Sequence, residues 1–309
     1  MRRPNRSFEV CRRPDVRPAG PFLKKDTLAG RLEAVPADMR ERHMYETNYH
    51  RAASVAEAAA KMASAEDGKY LGGGQTLLPT MKQRLAAPSD LIDVTRADGM
   101  GGIREEGGAL VIGAATTHAD VAGSDLVGQK IPGLASLAGG IGDPAVRHQG
   151  TIGGSVANND PAADYPAALV ALGATVITSK RSIAADDFFT GLFETALEDD
   201  EIITAVAFPV AVKSAYAKYP NPASRYAMAG VFVAKTSDGA ARVAVTGAGQ
   251  DGVFRASAME SALAQTWSAD AVAGIKVNED TLLADLHGSA AYRANLITVM
   301  AKRAVQASA

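Results

Sequence analysis

Two short stretches carry residue types suited to holding an anion. "YLGGGQTLLPTMKQRL" runs from Tyr70 to Leu85, and "TIGGSVANNDPAAD" from Thr151 to Asp164. Each sets glycines beside short hydroxyl and amide side chains, at what reads as the end of a strand. Glycine lacks a Cβ, so successive main-chain amides can converge on one point and form an anion-binding concavity. Thr76, Thr151 and Ser155 add hydroxyl donors, and Gln75, Asn158 and Asn159 add amides. Two such loops are able to grip both phosphates of a long ligand, a dinucleotide such as FAD, from opposite sides. Either loop taken singly also reads as a tight turn with nothing bound. The pair weakens that duller reading.

The common phosphate-binding signatures do not account for these loops. A P-loop requires a lysine that neither stretch supplies in place. Gly72-Gly73-Gly74-Gln75-Thr76-Leu77 fails the G-x-G-x-x-G pattern at its third glycine. A literal match, "GAGQDG" at Gly247 to Gly252, follows the strand-like "RVAVT". It has no second strand ending in an acid and no βαβ unit behind it, so it reads as a turn.

The elements that must position the loops follow from periodicity. "SVAEAAAKMAS" has a cap at Ser54, Glu57 three residues on, and apolar positions at helical spacing. "KYLGGG" reads as a strand entering the first loop, and "TLLPTMKQRL" as a short helix with Pro79 in its first turn. "DLIDVTR", "GALVIGAATT" and "ATVITS" predict strands, "HADVAGSDLV" a helix, and "IPGLASLAGG" a small-residue helix. Strands and helices alternate to about residue 212, which argues for an α/β or α+β domain. "SAYAKYPNPASRYAMAGVFVAK" and "ARVAVTGAG" then predict an antiparallel sheet. "SAMESALAQTW" and "SAAYRANLITVMAKRAVQASA" predict helices upon it. The expected organisation is 44–212, with subdomains of about 44–97 and 98–212, followed by 213–309.

Composition narrows the partners. At 47% apolar and 21% charged residues, the chain can build a packed core. A net charge of -2, with no long basic face, gives no reason to expect nucleic acid. The single cysteine, Cys11, can form neither an internal disulfide nor an iron–sulfur cluster. A reducing, cytoplasmic setting is expected. No run approaches the ~18 apolar residues of a membrane span. The Arg- and Pro-rich residues 1–43 lack an export signal's apolar stretch, so a disordered extension, or sequence upstream of a start at Met44, is expected.

"LGGGQTLLPTMKQRL", "LVIGAATTHADV", "IGDPAVRHQGTIGGSVANNDPAADYPAALVALGATV" and "EIITAVAFP" together resemble the FAD-binding medium subunit of molybdenum hydroxylases, most nearly the type found in aerobic carbon monoxide dehydrogenases. The likeness runs from about Tyr45 to the C-terminus. It implies an α+β fold: a PCMH-type FAD domain of the vanillyl-alcohol-oxidase kind, with two α/β subdomains, then a C-terminal antiparallel sheet with helices. It implies noncovalent FAD here. It also implies molybdopterin on a large partner subunit and two [2Fe-2S] clusters on a small one, often in a dimer of heterotrimers. Electrons then reach an external acceptor: quinone, NAD or oxygen. The substrate is decided in the molybdenum subunit.

Carried onto matching positions, the resemblance assigns cofactor contacts to Leu71, Gly72, Gly73, Gly74, Gln75, Thr76, Leu77 and Leu78. It assigns further contacts to Thr151, Ile152, Gly153, Gly154 and Ser155, to Asp164, Ile141 and Ile202, and to Lys218, where the spacing is less regular. Gly72 and Thr76 depart mildly from the commoner "AGG(Q/H)S". Valine at Gly74 or Gly153 is expected to block close backbone approach to the flavin. Asp143 reads as a turn or cap residue. Arg147 suits either a phosphate or the ordering of "HQG". His118 and His148 lack a ligand partner at useful spacing. Asp160 and Asp164 do not make an acid–base pair, because nothing else signals hydrolysis. No catalytic base is expected on this chain, whose task is to bind and tune the flavin. A stand-alone PCMH-type flavin oxidoreductase and a non-redox scaffold are the alternative readings.

Overall fold

The computed structural model describes residues 44–308. Cys11 and the Arg- and Pro-rich stretch lie outside the described residues, and so does the expectation attached to them. β1 (Asn48–Arg51) leads into α1 (Val55–Ser64). Ser54 Oγ accepts the Glu57 amide at 3.1 Å while the Glu57 carboxylate accepts the Ala53 amide at 2.9 Å, a reciprocal cap. β2 (Gly68–Leu71), α2 (Leu77–Lys82) and β3 (Asp90–Asp93) follow. The three strands form a parallel sheet in the order β1-β3-β2, so the crossover from β2 to β3 carries the first glycine loop.

β4 (Ile103–Glu106) and β5 (Ala109–Gly113) precede six helices: α3 (His118–Gly123), α4 (Asp125–Lys130), α5 (Pro132–Gly139), α6 (Pro144–Arg147), α7 (Ile152–Asn158) and α8 (Tyr165–Leu172). The chain returns as β6 (Thr175–Thr178), β7 (Ser182–Ala184) and α9 (Ala185–Phe188), turns through a hairpin of β8 (Phe189–Gly191) and β9 (Glu194–Thr195), and ends in β10 (Ile203–Pro209). Five of these strands make an antiparallel sheet, β4-β5-β10-β6-β7. Two local expectations are corrected. The stretch from His118 is two helices, because Ser124 is extended and its hydroxyl caps Val127 N. The second glycine stretch is the first turn of α7, not a loop after a strand: Thr151 Oγ1 accepts the Gly154 amide at 3.2 Å.

β11 (Lys213–Pro220), β12 (Ala227–Lys235), β13 (Ala241–Thr246) and β14 (Phe254–Arg255) form an antiparallel sheet in chain order, with α10 (Ser257–Gln265), α11 (Ala269–Val272) and α12 (Ala290–Ala307). "GAGQDG" forms the turn after β13, with Gly247 and Gly252 at φ of 80° and 93°. Strand alternation divides this sheet between two cores. Val231, Val233, Val243 and Val245 meet Ile297 and Met300 of α12. Phe232, Ala234 and Ala244 join Leu134 and Leu169 in the core of the preceding sheets. β12 is therefore covered on both faces, which explains its almost unbroken apolar run.

All eight residues of α8 are buried. A fully buried Leu or Val contributes about 1.5–3 kcal/mol, so the helix is firmly wedged against the C-terminal sheet. Its position fixes Asp164, the residue just before it. No helix among the described residues is long and apolar enough to cross a membrane.

Candidate cofactor site

A cavity of about 450 Å³ opens where the end of β2, the segment after α5, the start of α7, residues 158–164 and the β11–β12 connection converge. That volume lies in the range of small-molecule and cofactor sites. Its walls include Leu71, Gly72, Gly73, Gly74, Gln75, Thr76, Leu77, Ile141, Thr151, Gly154, Ser155 and Asp164. Ile202 and Gly153 line an adjoining, mainly apolar space of about 90 Å³, which shares Tyr70, Gly72, Thr151, Gly154 and Ala157 with the larger one. Leu78 and Ile152 lie on neither wall. Leu78 packs behind the first loop, with Cδ1 2.8 Å from where a Gly74 Cβ would be. Ile152 is fully buried in the core.

The two glycine stretches do different work. Among the described residues, the main-chain amides of Gly72, Gly73, Gly74, Gln75 and Thr76 donate to no other group of the chain. Gly74 sits at φ 70°, which turns this row of donors into a concavity. In the second stretch the main-chain amides from Ile152 to Ser155 are already used. Ile152 N donates to Thr116 O, Gly153 N to Ala114 O, Gly154 N to Thr151 Oγ1 and Ser155 N to Thr151 O. It meets the cavity at Thr151, Gly154 and Ser155, with Asp164 at its far end. Its glycines also pack against protein: a Gly153 Cβ would lie 2.5 Å from Ala114 Cβ and 2.8 Å from its carbonyl oxygen.

Asp164 is 5% exposed and makes no cap bond to α8. Its carboxylate instead accepts from Tyr216 Oη at 2.5 Å and Lys218 Nζ at 3.0 Å. Burial pushes this carboxyl above its ordinary value, while the Lys218 ammonium and the Tyr216 hydroxyl act the other way. Lys218 also donates to Gly140 O at 2.9 Å. It therefore sits behind the cavity wall, bracing Asp164 and the segment that carries Ile141. In the smaller space, Glu201 holds the backbone just before Ile202. Burial works against its charge, yet bonds from Arg181, Thr178 and the Glu198 amide outweigh it and bring the carboxyl down to about 2.

His118 lines the cavity with its Nδ1 unpartnered, and the hydroxyl of the neighbouring Tyr165 is likewise without a partner. Burial, with the Arg147 guanidinium, pulls the imidazole from 6.5 down to about 4. The unfolded chain therefore binds a proton at His118 in a window where the folded chain does not. Stability is expected to be fully present above about 6.5 and to be lost as pH falls through about 4. In a series of urea unfolding midpoints, His118→Gln is expected to flatten that slope. An unchanged slope would remove His118 as its source.

The remaining sequence candidates have structural roles. Asp143 Oδ1 caps α6 through Val146 N at 2.9 Å. Arg147 donates to the carbonyls of Ile141 and Gly142, so it orders that segment rather than "HQG". His148 Nδ1 meets Pro144 O, and Asp160 accepts the Ala162 amide in a local turn. Sequence reasoning missed Arg225 and Tyr226, which reach the cavity from the β11–β12 connection. Arg225, at φ 63°, donates to Gly142 O at 3.3 Å and brings a cation to the wall. The unusual backbone of that residue has no signal in its type.

Free amides, short hydroxyls, a cation and an adjoining apolar space are the donor set a flavin dinucleotide needs. Residues 43–211 match the family of the FAD binding domain in molybdopterin dehydrogenase. The chain belongs to this family. This FAD-binding subunit is 35% identical over 277 residues to the carbon monoxide dehydrogenase medium chain of Hydrogenophaga pseudoflava, covering 84% of this chain and 96% of the relative. It is 34% identical to the nicotine 6-hydroxylase medium subunit of Paenarthrobacter nicotinovorans, across 83% and 95% of the two chains. Its structure matches that of the reconstituted CO dehydrogenase from Oligotropha carboxidovorans with a TM-score of 0.79 at 34% identity, covering 86% of this chain and 98% of that one. The protein is thus an FAD-dependent oxidoreductase subunit of the molybdenum hydroxylase family, with the PCMH-type α+β fold.

Proposed function

We propose that this chain is the electron-transfer subunit of a molybdenum hydroxylase complex. It receives electrons from [2Fe-2S] clusters on a small partner, after substrate oxidation on a large molybdopterin subunit, and delivers them to an external acceptor. The observation that carries the reading is the row of unpartnered amides from Gly72 to Thr76 along a cofactor-sized cavity. Such donors stabilise the diphosphate without reorganising. Bound FAD supplies a centre able to take up electrons one at a time and release them in pairs.

The chain's own part is to hold and shape. Gly73, Gly74, Gln75 and Thr76 grip the diphosphate, with Gly154 and Ser155 opposite. Asp164 offers an acceptor on the wall, and Ile202 closes the apolar space beside it. The relatives' printed names, medium chain and medium subunit, support a large and a small companion, and a dimer of heterotrimers is the assembly proposed. The division into 44–212 and 213–309 is part of the same reading, supported by the short turn between β10 and β11.

Tagged full-length chain from its native host is expected to recover one larger and one smaller subunit with stoichiometric flavin. In that complex, substrate should bleach the flavin absorbance. The isolated flavin-loaded chain should remain unreduced by the same substrate. Reduction of the isolated chain would favour a stand-alone oxidoreductase instead.

A further inference from the structure

The least expected feature of the cofactor wall is the support behind Asp164. The carboxylate is buried, does not cap its helix, and takes its partners from a strand more than fifty residues away. Tyr216 and Lys218 stand two apart on β11, so they share one face of the strand and reach the same carboxylate. Tyr216 needs room to do so. A Cβ on Gly230 of the adjacent strand would lie 2.2 Å from the Tyr216 hydroxyl oxygen and 2.9 Å from its Cζ. The missing side chain at Gly230 is thus the seat of that hydroxyl. The Tyr216 ring is held in addition against Phe232, with centroids 6.2 Å apart. Neither Tyr216 nor Gly230 lines the cavity, whereas Asp164 does.

A carboxylate with two lone-pair faces buried against protein can turn only what remains towards a ligand. Lys218 supplies charge, but a lysine on a flexible stem does not fix orientation, whereas a tyrosine clamped by its ring does. We propose that Tyr216, seated by Gly230, is a positioning residue for cofactor binding: it orients the Asp164 carboxylate in the cavity wall. The inference rests on the FAD assignment. It adds that the C-terminal sheet takes part in cofactor recognition through Asp164, without itself touching the cavity at Tyr216.

The test is FAD titration of flavin-stripped full-length chain, with the melting temperature of each flavin-free variant alongside. Tyr216→Phe keeps the ring packing and removes one hydrogen bond to an ionised group. It is expected to weaken FAD binding roughly tenfold while leaving melting nearly unchanged. Gly230→Ala should reproduce the loss, because its new methyl expels the hydroxyl. In an Asp164→Asn background, neither change should alter affinity further, since groups acting through one another are not additive. The potential of the bound flavin gives a second readout. A less neutralised carboxylate near the cofactor should lower it in Tyr216→Phe.

Parent-like affinity and potential in Tyr216→Phe would overturn the proposal. So would a tenfold loss that persists in full on Asp164→Asn. Should Asp164→Asn bind too weakly to titrate, the affinity and flavin potential of Tyr216→Phe and Gly230→Ala decide, and parent-like values in either again overturn it. Failure of the parent chain to take up FAD would instead overturn the FAD assignment itself.

Discussion

Gly73→Ala is expected to yield a chain that retains no flavin. A Cβ at this position would lie 1.9 Å from Gln149 O, 2.6 Å from its carbonyl carbon and 2.6 Å from Gly150 Cα. All three are backbone atoms, so no rotamer change relieves the contact. They belong to the turn held by Gly150 N to Val146 O at 2.7 Å and by His118 N to Gly150 O at 2.9 Å, so the neighbour is itself tied down. Overpacking of this kind costs about 3 kcal/mol or more, and it must separate the two cofactor segments. Because the amides of Gly72 to Thr76 hold their arc only while the segments touch, affinity for FAD should fall by roughly a hundredfold or beyond. Gly101→Ala is the matched control, since nothing lies within 4 Å of its Cβ position. Flavin content per chain and thermal melting decide the matter. A Gly73→Ala protein with full flavin content and parent melting would show that the segments do not meet as described.

Asp164→Ala should be comparably severe by a different route. Its removal strands the Lys218 ammonium, whose side chain is only 10% exposed, and leaves the Tyr216 hydroxyl without its acceptor. Breaking a buried pair in this way costs about 3–5 kcal/mol, more than the pair contributes net, because an uncompensated charge stays behind. The chain should unfold at markedly lower urea and release its flavin. Replacing both members, in Asp164→Ala/Lys218→Met, is expected to recover much of the stability without recovering flavin binding. Recovery of both would mean that Asp164 serves the fold alone.

The type of protein was legible in the residues. The glycine stretches with their short hydroxyls and amides pointed to a dinucleotide, the strand and helix periods to an α/β or α+β domain, and the resemblance of the motifs to an FAD subunit of this family. Those signals are local, and local chemistry sets turn geometry and periodicity. Asp143 as a cap and "GAGQDG" as a turn were legible for the same reason.

What each glycine is for was decided only in three dimensions. Both stretches looked like cradles in which backbone approaches a ligand. In the fold, Gly73 and Gly153 make room for other backbone, and the amides of Gly72 to Thr76 stay free while those of Ile152 to Ser155 are spent on the protein itself. Valine at Gly153 is therefore expected to fail through the Ala114 contact rather than by meeting the flavin. Arg147 went to carbonyls, Arg225 arrived from a connection with no motif, and Asp164 found its partners on β11. Residue type and spacing state which groups can donate, accept or stay small. Which of them is still unsatisfied once the chain has closed on itself depends on contacts between segments far apart in sequence, and those are set by how helices and sheets bury their apolar faces.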